Sequence, residues 1–299
     1  MKATTHTEVY RPFHGKLRGR PFRALVLARS AIRQGHKKKL PLLVLYVVPY
    51  LLAVVFCFIV YLKFTAEAGQ LPGMAAERSQ AMAQMAGALL EVEQQIYTYV
   101  DNVRVFALLA IAWFGAGLVA EDRRLGAHLL YFSRPLSRFD YILGKFLGAA
   151  FFGFIILLVP SLLICAVAAV SSPEWSFVKE KGHVIAATAG YGLLWIATFT
   201  AVVLTVSSLV ERKTLALAGI FGGVFLFEAA SNVLAELTED DRWRLLSIFA
   251  NFGKIAEWAF DRPERYSWNV GASMYVIGAL IVVCLTVLWR RARRMEVLG

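Results

Sequence analysis

Six long apolar stretches, separated by segments where charged residues crowd together, set the pattern of this chain: 41–62, 103–120, 143–170, 184–210, 215–235 and 269–289. Each approaches the roughly 20 residues that a helix needs to cross about 30 Å of hydrocarbon. The pattern therefore predicts an all-α integral membrane protein with six transmembrane helices. An even number of crossings puts both termini on one side.

Two elements are expected between the spans on the far side. In segment 63–102, Met82, Met85, Leu89, Val92, Ile96, Tyr99 and Val103 alternate steps of three and four, a heptad-like seam preceded by a Pro72-Gly73 turn. This predicts one long external helix over 74–100 that runs on into the second span. Its seam has four open destinations: a second copy of the chain, an external protein partner, the chain's own segment 236–268, or packing within the same subunit. Segment 236–268 begins with Glu236, Glu239, Asp240 and Asp241 and continues through Leu245, Leu246, Ile248, Phe249, Phe252, Ile255 and Trp258. It is too short and too charged at its start to span. Trp243, Trp258 and Trp268 suit an aromatic belt at the membrane interface.

Charge supplies the orientation. With the amino terminus inside, segments 1–40, 121–145, 212–213 and 290–294 hold 22 of the 32 Lys and Arg residues, the asymmetry of the positive-inside rule. The net charge of +11 divides into about +16 within and −5 elsewhere. Basicity thus reads as membrane topology, and nucleic acid is not an expected partner, because the basic residues sit beside spans instead of forming a folded basic face. Composition agrees, with 58% hydrophobic residues, 18% charged residues and a mean hydropathy of +0.58. The first 40 residues are too polar for a signal peptide.

Chemistry-bearing motifs are sparse. No G-x-x-x-x-G-K-[ST] phosphate cradle occurs, and no G-x-S-x-G or H-E-x-x-H string. Cys57, Cys165 and Cys284 fall inside spans as small apolar side chains. His6, His14, His36, His128 and His183 are scattered without metal-ligand spacing. Glu228 lies well inside the fifth span, with Ser231 and Asn232 one turn on, so the three share a face. They read either as a substrate or proton site or as a hydrogen-bonded group near the outer rim. Along the fourth span Thr188, Tyr191, Trp195, Thr198 and Thr205 form a semi-polar stripe, suited to lining a pathway or to interhelical hydrogen bonding. Gly144/Gly148 and Gly219/Gly223 are small-xxx-small pairs that let helices approach closely.

The segment between the second and third spans, 121–142, is the most distinctive. The second span is expected to end at Ala120, so that Glu121 and Asp122 open a short helix with Arg123 and Arg124 in its first turn. Leu125, Leu129, Leu130 and Phe132 then form an apolar stripe, and Pro135 biases Arg134 toward extended backbone and stops the helix near Ser133. A second basic turn, Ser137-Arg138-Phe139-Asp140-Tyr141, leads to Gly144-Lys145. The string E-D-R-R-x-G, six residues, S-R-P-x-S-R-x-x-Y-x-x-G-K resembles the corresponding loop of ABC-2 type permeases, the membrane subunits of many bacterial ATP-driven exporters. The sharp resemblance spans 28 residues, 121–148, and the layout extends it over 20–290.

That resemblance implies an amino-terminal amphipathic elbow helix at about 21–36 along the inner leaflet, with Pro21 in its first turn and the Lys37-Lys38-Lys39 cluster near anionic membrane lipid. Phe22, Leu25, Val26 and Ile32 would form its apolar face, with Leu27 and Arg29 misplaced. It further implies a short cytoplasmic turn between the fourth and fifth spans, re-entrant helices in 236–268 and a bacterial inner-membrane location. Its implied partners are cytoplasmic ABC ATPase subunits docked on Glu121, Asp122, Arg123, Arg124, Leu129, Arg134 and Arg138, together with a second permease copy in a homodimer or heterodimer. No cofactor is expected on this chain, since ATP and Mg belong to the partner ATPase. Export is implied by the resemblance alone. An ion-coupled secondary transporter and a non-transporting membrane scaffold or sensor remain the alternatives.

Overall fold

A computed structural model describes residues 20–37, 39–69, 75–85, 91–126 and 136–297. Among these residues the helices are α1 (Arg20–His36), α2 (Lys39–Glu67), α3 (Ala76–Met85), α4 (Val92–Arg124), α5 (Arg138–Gly153), α6 (Val159–Ser171), α7 (Ser176–Leu209), α8 (Lys213–Thr238), α9 (Ile248–Ala259) and α10 (Val270–Val297). No strand occurs among the described residues. Among the described residues six stretches are long and apolar enough to cross a membrane: α2, α4, α5 with α6, α7, α8 and α10.

Burial sorts these spans into a centre and a rim. The apolar window of α4 is 72% buried and that of α7 67%, against 22%, 22% and 17% for α2, α8 and α10. Apolar residues therefore fill the interior and also cover the outside, as a bilayer solvent requires. α5 and α6 form one span interrupted by a π turn at Phe154–Leu158. Its cause lies just downstream: Pro160 has no N–H to continue an α ladder. The distortion is used, because Tyr50 of α2 donates its hydroxyl to the Ile155 carbonyl at 3.1 Å. Ser161 likewise donates to the Leu157 carbonyl at 2.7 Å.

α1 lies along α5, and two glycines make that possible. A Cβ at Gly144 would stand 2.6 Å from Leu27 Cβ and 2.8 Å from the Ala24 carbonyl, and one at Gly148 would stand 2.6 Å from Ala31 Cβ. The buried face of α1 is thus Ala24, Leu27, Ala28, Ala31 and Gly35, while Leu25 and Val26 are exposed. Leu25 and Val26, two residues of the expected apolar face, are turned outward, and Leu27, expected off that face, meets α5. Gly219 meets Val206, but a Cβ at Gly223 would find open space.

Two further expectations change. The seam residues do not lie on one helix over 74–100, because Glu91 is extended (φ −56°, ψ 123°) and α4 starts afresh at Val92. Met82 and Met85 belong to α3, Leu89 lies outside the described residues, and Val92, Ile96, Tyr99 and Val103 are buried within this chain. Tyr99 is held by α2, donating to the Pro49 carbonyl at 3.2 Å with its ring edge-on to Phe56. α3 folds back on the end of α2, where the buried Ser79 hydroxyl donates to the Ala66 carbonyl at 3.0 Å. At the other end, Glu121 through Arg124 do not open a new helix. They are the last turn of α4, which stops at Gly126 (φ 65°), glycine being the residue that enters the left-handed region without penalty. Arg123 and Arg124 suit the negative end of the helix dipole.

The fourth span also starts earlier than its apolar run. α7 begins at Ser176 and bends at Lys181 (φ −125°, ψ 23°), where Lys181 pairs with Glu93 of α4 at 2.5 Å.

Replacing Gly148 with Leu should push α1 off α5. The expected outcome is faster tryptic cleavage at Arg29 and Arg33 in the purified chain. Gly278→Leu, at a position where an added Cβ meets open space, should leave the cleavage rate unchanged.

Candidate functional site

The charged turn that ends α4 is fastened from two directions. Asp122 accepts from the Tyr141 hydroxyl at 2.9 Å and pairs with Lys145 at 2.7 Å, both on α5. The Asp122 and Lys145 side chains are only 13% and 8% exposed. Arg123 donates to the Ser208 carbonyl at 2.8 Å and pairs with Glu211 at 3.5 Å, which ties it to the turn joining α7 and α8. One helical turn earlier, the buried Ser207 hydroxyl enters the α4 ladder: it donates to the Ala116 carbonyl at 2.7 Å and accepts from the N–H groups of Val119 and Ala120 at 3.2 and 3.1 Å. An interhelical hydrogen bond in a bilayer averages about 0.6 kcal/mol, so Ser207 contributes register more than stability.

Arg138 stands at the start of α5, whose entry is a capping box: Ser137 accepts from the Asp140 N–H at 3.1 Å, and Asp140 accepts from the Ser137 N–H at 3.3 Å. The ends of α4 and α5 therefore bring Glu121, Asp122, Arg123, Arg124 and Arg138 to one end of the bundle. Leu129 and Arg134, with the expected short helix, lie outside the described residues. Arg124 and Leu125 are exposed. Beside them a cleft of about 430 Å³ opens between α1 and α4, lined by Gln34, Lys37, Glu121, Asp122, Leu125 and Lys213.

The semi-polar stripe of α7 is buried among neighbouring helices. Thr188 and Thr198 donate to carbonyls of their own helix, Val184 and Leu194, each at 2.7 Å. Thr205 donates to the Cys284 carbonyl of α10 at 3.0 Å. Trp195 sits in an aromatic cluster with Phe199, Phe249 and Phe252, its ring 4.6 Å from that of Phe252. Segment 236–268 supplies two of those rings, because α9 turns back into the bundle and meets the middle of α7. Trp268 is buried and donates to Ser273 at 2.8 Å, whereas Trp243 and Trp258 are exposed. Tyr191 has an interhelical role, accepting from Arg104 of α4 at 3.1 Å. Its ring also borders an apolar groove of about 660 Å³ shared with Leu194, Ile255, Trp258 and Met274.

Glu228 and Asn232 come together at the opposite end from the charged turn. Glu228 accepts from the hydroxyl of Ser247 and, at 3.4 Å, from the Asn232 amide. Ser247 at the same time caps α9, accepting from the Ala250 N–H at 2.9 Å. Glu228 thereby fixes the start of the returning helix. Nearby, the buried Lys254 pairs with Glu257 at 3.3 Å and donates to the Tyr266 carbonyl at 2.9 Å. Tyr266 lies flat on α9 because position 253 is glycine; a Cβ there would be 2.7 Å from its ring. Burial raises the Tyr266 phenol above its ordinary pKa, so it stays a neutral hydrogen-bonding group at physiological pH.

Several of these groups were not singled out by sequence reasoning. Arg104 is one residue inside the second apolar run, and a cation at that position is itself a signal of a required partner. The Asp122–Lys145 pair and the insertion of Ser207 join segments far apart in the chain and leave no local pattern.

Removing one partner of a buried ion pair strands the other and costs about 3–5 kcal/mol, whereas replacing both with apolar groups is often close to neutral. Asp122→Leu and Lys145→Met should each lower the thermal unfolding midpoint in detergent, and the double variant should recover most of the loss. Additive losses in the double variant would show that the pair is not the unit that matters.

Residues 26–289 match the family described as ABC-2 family transporter protein. No curated protein matches the chain. The matched region takes in α1 from Val26 onward, the first five membrane-crossing stretches and the sixth as far as residue 289, together with the charged turn and the returning helix α9. This multi-pass membrane protein therefore belongs to the ABC-2 family of transporter proteins, as the permease component of an ABC transporter.

Proposed function

We propose that the chain forms the transmembrane pathway for ATP-driven export, powered by separate ATPase subunits that dock on the 121–141 segment. One observation carries the reading. The turn Glu121–Arg124 is the rigid end of α4, the most deeply buried span, and it is tied both to α5 through Asp122 and to the α7–α8 turn through Arg123. Force applied there is delivered to four helices at once. The exposed Arg124 and Leu125 and the adjoining cleft offer a mixed charged and apolar surface for a partner.

In this reading the charged turn and both chain termini are cytoplasmic, in line with the concentration of Lys and Arg at that end, and the membrane is the bacterial inner membrane. The chain contributes no nucleotide chemistry, and ATP with Mg is held by the partner. α2, α8 and α10 leave most of their apolar surface uncovered, which suits lipid and a second permease copy. The outward face of α8, with Phe225, Leu226 and Phe227 exposed beside Gly222 and Gly223, is the surface best shaped for that copy.

Purification of the tagged chain from its own host in mild detergent should recover an ABC ATPase in stoichiometric amount. Because Arg123 is occupied inside the chain, Arg124 and Leu125 are the informative positions. Arg124→Glu with Leu125→Ser should cut ATPase recovery about tenfold or more while the permease elutes unchanged on size exclusion. Undiminished recovery would place docking elsewhere. Transport that proceeds without any ATPase and collapses with the proton gradient would replace this reading with an ion-coupled one.

A further inference from the structure

At the end of the bundle opposite the charged turn, a cavity of about 410 Å³ opens between the first turns of α4, the last turns of α8 and the loop that follows α9. Its volume is in the range of roughly 300–1,000 Å³ common for small-molecule sites. Its lining is polar to a degree unusual for the edge of a membrane span, with four arginines: Arg104, Arg244, Arg262 and Arg265. Three carboxylates share the wall, Asp101, Glu228 and Glu257.

The carboxylates are already engaged. Asp101 pairs with Arg104 at 2.7 Å. Glu257 pairs with Lys254 and accepts from the Arg265 N–H at 3.0 Å. Glu228 accepts from Ser247 and Asn232. The arginines are not all engaged. Arg262 is stacked over the Tyr97 ring at 4.0 Å and Arg265 lies 5.8 Å from the Tyr266 ring centroid; neither has a carboxylate within ion-pair distance among the described residues. Arg244 pairs through Nη1 with Asp241 at 2.8 Å, but its Nε is buried without an acceptor. A buried donor without an acceptor is costly, and a guanidinium held on an aromatic face keeps its N–H edge free.

The geometry assigns this cavity to a phosphate ester, bound by the guanidinium groups of Arg262 and Arg265, with that of Arg244 beside them in the cavity wall. A tetrahedral oxyanion presents several oxygens to such a set, and charge-assisted bonds of this kind are the strong ones. The phosphate has two sources with the same chemistry, a soluble organic phosphate or the headgroup of a membrane lipid entering from the side. The proposal stands apart from the ATPase reading, since binding is measured on the permease alone.

The test is isothermal titration of the full chain, purified in dodecyl maltoside, with sn-glycerol 3-phosphate and with dihexanoyl phosphatidic acid. Glycerol serves as the neutral probe on the unmodified chain. Binding of either phosphate, absent for glycerol and weakened about tenfold or more in Arg262→Gln/Arg265→Gln, is the expected result. Arg242→Gln, an exposed arginine outside the cavity, should bind as the unmodified chain does. Binding of glycerol phosphate as well as the lipid would assign a site that reads the phosphate alone, and binding of the lipid alone would assign the headgroup source. Failure of both phosphates to bind, or equal affinity in the double variant, overturns the assignment. Should the double variant fold poorly, binding by the unmodified chain that is insensitive to ionic strength or matched by glycerol overturns it equally.

Discussion

In hydrocarbon, apolar contact does not distinguish a neighbouring helix from lipid, so close backbone approach and polar ties decide which helices touch. This bundle depends on that constraint throughout. α1 is held to α5 where Gly144 and Gly148 remove side chains from the contact. α2 is joined to the middle of the α5–α6 span by Tyr50, reaching a carbonyl at the turn that precedes Pro160. α7 is tied to α10 by Thr205 and to α4 by Ser207. Apolar packing fills the space between these ties but does not select the pairing.

The ties are concentrated on α4 and α7, the two most buried spans, and at both of their ends. At one end Arg104 bonds to Tyr191 while Glu93 meets Lys181. At the other, Ser207 enters the α4 ladder and Arg123 grips Ser208. The two helices are thus braced against each other near both ends. α9 adds a third member, because Ser247 caps it while donating to Glu228, and its rings close on Trp195.

The two ends also use charge differently. At the turn that ends α4, the buried carboxylate is matched by Lys145 and Tyr141, while Arg124 remains exposed. At the opposite end Asp101, Glu228 and Glu257 in the cavity wall each have a partner within the chain, while Arg262 and Arg265 lie beside aromatic rings. The first arrangement suits a rigid attachment point, the second a small anionic ligand.

The six crossings, the all-helical class and the basic end were legible in the sequence, because hydrophobic length and Lys/Arg placement are local properties set by the bilayer. The glycine pair that seats α1 was legible for the same reason, since small residues one turn apart report close approach whatever the partner. Other features belonged to the tertiary structure. The seam at Val92, Ile96 and Tyr99 has the same period whether it faces another protein or the chain itself, and only the fold shows that it is buried within the chain, with Tyr99 held by α2. Glu121 to Arg124 read as a helix start, and only the fold shows them as a helix end, with Asp122 paired to Lys145, distant in sequence, and Gly126 closing the turn. Glu228 is expected to share a face with Ser231 and Asn232, but only the fold shows its further partner, the cap of a helix that begins 20 residues later. Sequence by itself determined which segments enter the membrane, because that is settled residue by residue against hydrocarbon. Only the tertiary structure decided which polar groups meet there, because each was paid for by a partner from a different segment.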